Sequence, residues 1–142
     1  MRNISFSATT EKFRAHRKHV TRRFSLRPKS FWKSLKPNEH LMGIEKGQGL
    51  KKGEKVVRLE EITILQVNRE PLDEIINNPI RGTPENIRLI YEPVRGRRPA
   101  ETTLEGFPEL SPRSFVNFFC AMNNCEPGTE ITRILFDYGV TE

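Results

Sequence analysis

Hydrophobic and polar positions predict five strands outside residues 78–99, four shorter and one longer. The shorter candidates are Asn3 to Ser7, Val20 to Phe24 and His40 to Glu45 in the first third of the chain, and Glu130 to Tyr138 near its end. The longest candidate runs from Lys55 to Val67, and its apolar residues do not alternate strictly with polar ones. This irregularity favours a strand that is buried on both faces in places or bent by a β-bulge, as a barrel requires.

Two helices are predicted from capping and proline signals. A short helix is expected over residues 10–16, because the side-chain oxygen of Thr9 or Thr10 can accept hydrogen bonds from its first free amides. It carries a single large apolar residue, so we expect it to lie on the surface. Pro71 can occupy the first position of a second helix, which would run to about Asn77.

The clearest helix signal lies late in the chain. Ser111 can cap this helix, and Pro112 suits its first turn. The apolar residues that follow recur at helical spacing, and they are Phe115, Phe118, Phe119 and Met122. A stripe of this kind predicts a helix face that packs on the core and not a cofactor site.

Together these elements predict an α+β fold, a small β-barrel flanked by two or three short helices. The length of 142 residues suits one hydrophobic core, so we expect a single domain over residues 1–142. Proline, glycine and arginine are frequent at about residues 78–99, which predicts an irregular insertion. One strand, Arg88 to Tyr91, is predicted within it.

Charge is distributed unevenly along the chain. Residues 1–58 contain 16 Lys and Arg against 4 Asp and Glu, whereas residues 59–142 contain 8 against 14. A strongly basic half favours a polyanionic partner, most often a nucleic acid, so RNA is the partner that the charge predicts. The alternative is a basic face with no specific partner, since charge alone decides only non-specific attraction.

Several other classes of function find no support in the composition. No stretch approaches the roughly 18–20 apolar residues of a membrane span. The first residues lack the apolar run of a secretory signal, so we expect a cytoplasmic protein with no membrane partner. Cys120 and Cys125 are expected to be reduced thiols, because no His or Cys cluster accompanies them at metal spacing. We therefore expect neither a metal site nor a cofactor.

The densest basic segment is the first candidate site. Its cations are Arg14, Arg17, Lys18, Arg22 and Arg23. Side chains of this kind suit phosphate oxygens. The nearby aromatic residues are Phe24, Phe31 and Trp32. An exposed ring beside a basic segment could stack on a base, and the alternative is that all three rings belong to the core.

A glycine- and lysine-rich loop, Gly47 to Gly53, would add Lys51 and Lys52 as a basic rim to such a site. Its amides could hold a phosphate, but the loop does not match the P-loop or dinucleotide fingerprints. The simpler interpretation is a basic hairpin connection.

Lys18 and Thr21 are candidates for a base and a nucleophile. Three residues apart, they face the same point on a helix or tight turn and opposite sides on a regular strand. A lysine partly removed from water loses its proton more easily and could take the proton of a threonine hydroxyl. Glu105, which lies between Glu101 and Glu109 in a carboxylate cluster, could complete an acid/base pair with Lys18. The alternative is that these carboxylates are ordinary surface charge.

Three blocks of the sequence resemble the ASCH domain family. They are SFSATTEKFRAHRKHVTRRF, LKPNEHLMGIEKGQGLKKGEKV, and EGFPELSPRSFVNFF followed by TEITRILFDY, in the family's order. The resemblance covers most of the chain outside residues 78–99. It implies a PUA-like β-barrel with a basic cleft beside the first helix, and in the family this cleft is proposed to bind RNA.

The resemblance also implies an enzymatic activity. Some small bacterial members are amidohydrolases that remove the acetyl group from N4-acetylcytidine with a K-x-x-T segment and a glutamate before the late helix. Here K-x-x-T is Lys18-His19-Val20-Thr21, the glutamate best matches Glu105, and the arginine after the threonine matches Arg23 or Arg22. This chain departs from those enzymes in its long insertion and in Arg22, where they have an apolar residue.

Three functions therefore remain open from the sequence. The first is binding of RNA or a modified nucleoside in a basic cleft. The second is an amidohydrolase that acts on N4-acetylcytidine or a similar acylated nucleoside. In it Thr21 would be the nucleophile or would position a water, Lys18 would be the base, and Glu105 would orient the lysine or protonate the leaving amine. The third is an adaptor or regulator with no chemistry of its own.

Overall fold

The structure is a computed structural model that describes residues 2–24, 34–46, 53–81, 83 and 99–139. Five strands in this part of the chain form one mixed sheet, which curls into a half-barrel. They are β1 (Arg2–Ser5), β2 (Val20–Phe24), β3 (His40–Ile44), β4 (Arg58–Pro71) and β5 (Glu130–Tyr138). The order across the sheet is β1-β3-β4-β5-β2. Strands β1 and β3 are parallel, and the other neighbouring pairs are antiparallel.

Short helices accompany the sheet in the described residues, and they are α1 (Thr10–Arg14), α2 (Glu74–Asn77), α3 (Glu101–Leu104) and α4 (Pro112–Asn123). This architecture confirms the predicted α+β fold with a small barrel-like sheet. Four helices exceed the two or three that the sequence predicts, because α3 has no sequence signal. It is a single turn with one apolar residue, and its first amide donates to the carbonyl of Pro79 at 2.8 Å.

Strand β5 separates two packing regions, because its side chains alternate between the two faces of the sheet. Ile134 and Phe136 project into the first region, which we call the aromatic core. Its buried members are Ile4, Phe6, Phe13, Leu35, Leu41, Ile62, Ile64, Ile134 and Phe136. The opposite face carries Ile131, Arg133 and Leu135, and there β5 packs toward α2, α3 and α4.

A glycine in β3 lets α1 approach the sheet. A Cβ at Gly43 would lie 2.4 Å from Cζ of Phe13, much closer than two carbon atoms can approach. The space that this glycine leaves is occupied by the Phe13 ring, which stacks on Phe6 with the ring centroids 4.2 Å apart. This contact fixes α1, the helix that precedes the Lys18 segment.

Helix α1 is not capped as predicted. The side chain of Thr9 makes no capping hydrogen bond, and the hydroxyl of Thr10 donates to the carbonyl of Phe6 at 2.7 Å. Burial of Phe13 stabilises this short helix in place of a cap.

The predicted irregularity of the longest strand is confirmed. The pairing of β4 with β5 shifts register between Ile64 and Gln66. Such a shift bends the strand locally, which suits a sheet that curls.

Pro71 ends β4 and does not begin a helix, so that prediction is wrong. It pairs with Glu130, and the two residues after it donate backbone hydrogen bonds of 2.9 Å to the loop before β5. These long-range contacts outweigh the local preference of proline for a first helical position. The helix that follows, α2, begins only at Glu74.

Helix α4 begins as predicted, but its apolar stripe is only partly buried. The Ser111 side chain accepts from the amide of Ser114 at 3.1 Å and caps the helix. Phe115 is buried, whereas Phe118 and Met122 are 41% and 60% exposed. The prediction that the whole stripe packs on the core is therefore wrong, because the helix contacts the rest of the protein along a narrower face than the stripe.

Some predicted features lie outside the described residues, and they are Phe31, Trp32, Lys51, Lys52 and most of the 78–99 insertion. Within the described ranges no helix is long and apolar enough to cross a membrane.

Candidate functional site

Lys18 lies in a short segment between α1 and β2, and contacts from two elements hold this segment in place. The amide of His19 donates to the carbonyl of Leu104 at 2.7 Å. The hydroxyl of Tyr138 donates to the carbonyl of Lys18 at 2.5 Å, and burial raises the pKa of this hydroxyl, which keeps it protonated. The backbone of Lys18 is therefore fixed between α3 and β5.

The side chains of Lys18 and Glu105 form a buried ion pair. Nζ of Lys18 donates to both the backbone carbonyl and Oε1 of Glu105, at 2.8 Å each, and only 4% of each side chain is exposed. Burial lowers the pKa of Lys18, Glu105 opposes this effect, and the charges of Arg23 and Arg22 add to it. A lysine in such surroundings loses its proton more readily than one in water, which suits a general base.

Three further charged side chains extend this pair into the protein. Arg22 donates from Nη1 to Oε2 of Glu105 at 2.6 Å and from Nη2 to Oε1 of Glu101 at 2.8 Å. Arg133 donates from Nε and Nη2 to the two oxygens of Glu101, at 2.5 and 2.9 Å. We call these five residues the charge network, and they are Lys18, Arg22, Glu101, Glu105 and Arg133. At most 4% of any of their side chains is exposed.

The network depends on α3, which brings two carboxylates to one side. Glu101 and Glu105 are four residues apart, so one helical turn places them on the same face. Gly106 ends this turn with a φ of 95°. The next carboxylate, Glu109, lies on the surface with 61% of its side chain exposed, 4.0 Å from Nζ of Lys12. Of the three clustered glutamates, Glu105 is thus the one that contacts Lys18.

Glu101 is held in its charged form. Burial by itself would raise the pKa of Glu101, but the hydrogen bonds and charges of Arg133 and Arg22 outweigh it, and the pKa lies below its usual value. Arg133 was not among the predicted site residues. Arg22 and Arg133 face each other on β2 and β5. Only knowledge of that strand pairing, together with the four-residue spacing of Glu101 and Glu105, could have identified it from the sequence.

Thr21 lies apart from this network. Alternation along β2 places Thr21 and Arg23 on the face opposite to Arg22. Nε of Arg23 donates to Oγ1 of Thr21 at 3.0 Å, and its Nη2 donates to the carbonyl of Ser5 at 2.7 Å. Burial lowers the pKa of Arg23 to about 10, which leaves it charged at neutral pH. No hydrogen bond joins Lys18 to Thr21 in the described residues, so the structure brings together Lys18 and Glu105 but not the full predicted trio.

The predicted ligand-binding arginines do not share one surface. The side chain of Arg22 is fully buried between two carboxylates. Arg14 is exposed and lies 3.6 Å from Glu45. Arg17 lines a cavity of about 340 Å³, whose other lining residues are Lys12, Thr103, Gly106, Pro108 and Glu109.

This cavity lies beside the turn that carries Glu105. Lys12 donates from Nζ to the carbonyl of Gly106, and Nζ is 3.7 Å from the centroid of the Phe107 ring. A Cβ at Gly106 would lie 2.9 Å from Cδ of Lys12, so a glycine is needed both for this approach and for the positive φ. Lys12 and Lys18 thus hold successive carbonyls of the same turn.

Comparisons with known proteins leave the family of this chain open. No family model matches it, and no curated protein is similar to it. A similar solved structure is the protein EF3133 from Enterococcus faecalis V583, described as DUF984, with 12% sequence identity and a TM-score of 0.48. The similarity covers 94% of this chain and 68% of that one. A likeness of this degree supports no statement about shared function.

Proposed function

We propose that this chain is an ASCH-type amide hydrolase that acts on a small ligand of the acylated-nucleoside class. The buried ion pair between Lys18 and Glu105 is the observation that supports this function most strongly. A lysine that loses its proton readily, next to a carboxylate, is an acid/base pair of the kind that amide hydrolysis requires. The three ASCH-like sequence blocks and the spacing of Lys18 and Thr21 support the assignment to the family.

The hydrogen-bonding capacity of the pair suits an amide group. The ammonium of Lys18 has three N–H donors, and Glu105 accepts from it through its carbonyl and Oε1. Loss of the third proton leaves a lone pair on the neutral amine that can accept a proton from an attacking oxygen, while a carboxylate oxygen of Glu105 can accept from an amide N–H. The slight exposure of both side chains favours a small acyl group over the backbone of a polynucleotide.

In the proposed reaction, the neutral amine of Lys18 takes a proton from the attacking oxygen as this oxygen bonds to the amide carbonyl carbon. The C–N bond then breaks, and the leaving nitrogen receives a proton from Lys18, which Glu105 stabilises in its charged form. The attacking oxygen belongs to Thr21 or to a water that Thr21 positions. If Thr21 attacks, a water then cleaves the resulting ester, so that either route converts one amide and one water into an acid and an amine.

Thr21 is hydrogen-bonded to Arg23 and not to Lys18, so the reaction needs a water between the threonine and the lysine, either as the nucleophile or as the carrier of the threonine proton. Replacement of Thr21 distinguishes its two roles. Thr21→Ser keeps a hydroxyl and should retain turnover if Thr21 is the nucleophile, whereas Thr21→Val should abolish it. A Thr21→Val variant that retains a few per cent of turnover would indicate that Thr21 positions a water.

The direct test is release of cytidine from N4-acetylcytidine by the purified protein, followed by chromatography. Lys18→Ala and Glu105→Gln should each reduce turnover about 10²- to 10⁴-fold, the usual contribution of a general acid or base. Arg14→Gln is the control, because Arg14 is exposed and outside the charge network. No turnover of a panel of acylated nucleosides by the folded wild-type protein would contradict the proposal.

RNA binding is the second candidate, and the exposed Arg17 at the cavity favours it together with the basic first half of the chain. Filter binding over a salt series tests it, because each phosphate contact contributes about one unit to the slope of log affinity against log salt. Arg17→Gln should flatten the slope by about one unit, while Arg81→Gln, which removes a cation bonded to Glu70, should not. Absence of binding at low salt would exclude this function, and absence of turnover as well would favour an adaptor.

A further inference from the structure

Arg22 is the branch point of the charge network. One of its terminal nitrogens binds Glu105 and the other binds Glu101. Its side chain is fully buried, and its Nε has no hydrogen-bond partner among the described residues. The position of the guanidinium is therefore decided by the two carboxylates and not by solvent.

Glu101 holds Arg22 against a repulsive neighbour. Arg22 and Arg133 are directly opposite on β2 and β5, where like charges destabilise a sheet. Glu101 lies between them, and its Oε1 accepts from both, at 2.8 Å from Arg22 and 2.5 Å from Arg133. Glu101 thereby reduces the repulsion between the two arginines and fixes the direction in which Arg22 approaches Glu105.

We propose that Arg22 is a positioning residue for Lys18. It holds Oε2 of Glu105, so that Oε1 faces Nζ of Lys18, and it shares the negative charge that would otherwise keep Lys18 protonated. Glu101 and Arg133 act through Arg22 and touch neither Lys18 nor a substrate. The catalytic consequence of this role rests on the proposed amide hydrolase, whereas the titration of Lys18 that tests the role does not.

The groups that surround Lys18 agree with this role. Glu105 contacts it from the turn after α3, the charges of Arg22 and Arg23 act on it from opposite faces of β2, and the hydroxyl of Tyr138 in β5 binds its carbonyl. Burial is the largest influence on the Lys18 pKa and lowers it, Glu105 raises it, and the two arginines lower it. Removal of Arg22 therefore leaves Glu105 to stabilise the ammonium with less opposition, from burial and Arg23 alone.

The test is the titration of Lys18 itself, followed by NMR of the full chain with ¹³C-labelled lysine and assigned by loss of the signal in Lys18→Arg. In Arg22→Gln the titration should move to higher pH, with the equilibrium constant for proton loss reduced about tenfold, the lower end of the effect of a nearby charge. In Glu101→Gln it should move to lower pH, because the charge of Arg22 is then less compensated. Arg14→Gln, which breaks an exposed ion pair with Glu45 outside the network, should leave it unchanged.

Opposite shifts in the two network variants separate positioning from a merely structural role, since general loosening would move both titrations the same way. Unchanged titrations, or shifts of one sign, would overturn the inference. If Arg22→Gln does not fold, as a thermal melt would reveal, Arg22→Lys and Glu101→Gln decide the question. Arg22→Lys should keep the wild-type titration to within a factor of about two, and Glu101→Gln should still shift it down. The predicted shifts without any amide turnover would refute the proposed function and leave the positioning role intact.

Discussion

The aromatic core and the charge network lie on opposite faces of β5, and they stabilise the fold in different ways. In the aromatic core, each ring contributes roughly in proportion to the apolar surface that it buries, and a smaller ring or side chain loses only part of that contribution. In the charge network, each side chain is tolerated only because its partner is present, since an unpaired buried charge is strongly destabilising. Stability should therefore fall in proportion to the apolar surface removed from the aromatic core. In the charge network, loss of any one member should be strongly destabilising.

This difference bears on function. Buried ion pairs contribute little net stability compared with apolar residues of the same size. Five charged side chains therefore add little stability to the contact between α3 and the sheet, but they can set the pKa of Lys18. The aromatic core supplies the rigid frame, because Tyr138, which packs against it, binds the carbonyl of Lys18.

The largest expected effect is the loss of Glu101. Glu101→Ala should lower the free energy of unfolding by about 3–5 kcal/mol, because it leaves Arg133 buried without a counter-charge and facing Arg22. Denaturant unfolding measures this effect. Glu109→Ala is the matched control, since its side chain is largely exposed, and it should change stability by less than about 0.5 kcal/mol. Equal effects of the two substitutions would show that the network is not formed as described.

A glycine substitution tests the aromatic core. Gly43→Ala should destabilise the protein by about 1–3 kcal/mol, because the new Cβ collides with the Phe13 ring and the surrounding residues must shift. Gly128→Ala is the control, because a Cβ at Gly128 would meet nothing within 4 Å. A Gly43→Ala variant that is as stable as the wild type would mean that α1 can move away from the sheet at little cost in free energy.

A fall in pH should affect the two regions differently, because the charge network contains ionisable side chains and the buried members of the aromatic core do not. The pKa of Glu101 is lower in the folded state than in the unfolded state, so its contribution to stability is complete above about pH 4.5 and is lost as the pH falls through the lower folded value. This group changes the free energy of unfolding by at most about 1.4 kcal/mol per pH unit. Glu101→Gln should therefore flatten the acid side of the stability curve, whereas Gly43→Ala should lower the curve without changing its slope. If stability depends on pH with the same slope in the wild type and in Glu101→Gln, the pKa of Glu101 is not lowered by folding.

The smallest expected effect concerns the exposed part of the α4 stripe. Met122→Gln should change the free energy of unfolding by less than about 0.5 kcal/mol, because Met122 is 60% exposed. Phe115→Ala on the buried side of the same helix should cost about 3–5 kcal/mol. A large effect at Met122 would show that the stripe is covered in solution.

Much of the fold could be predicted because its signals are local. The alternation of apolar residues in β5, the irregular pattern of β4 and the Ser111-Pro112 start of α4 all act within a few residues. The failures arise where distant contacts prevail. Pro71 is drawn into β4 by its pairing with Glu130, and α3 forms without a stripe of its own because the sheet and the charge network hold it.

For the candidate site, too, prediction succeeded where the signals were local and failed where distant contacts decided the outcome. The chemistry of Lys18 and Glu105 could be recognised from residue type and from resemblance, and the structure places them in contact. For Thr21 the sequence left two alternatives. Its side chain would point the same way as that of Lys18 on a turn and the opposite way on a strand. The predicted strand Val20 to Phe24 is present as β2, and alternation along it places Thr21 with Arg23 on one face and Arg22 on the other. Only the tertiary structure decided that Lys18, which precedes this strand, contacts Glu105.

By itself the sequence determined which residue types were present, their local spacing and the strands and helix that this spacing favours. The partners of each charge were decided only by the folded chain. Arg22 could have been a surface cation in a basic segment, but α3 and β5 surround it with Glu101, Glu105 and Arg133. The physical reason is that a charge interacts with whatever the fold brings within a few ångströms, and for Arg22 those groups come from segments about 80 to 110 residues away along the chain.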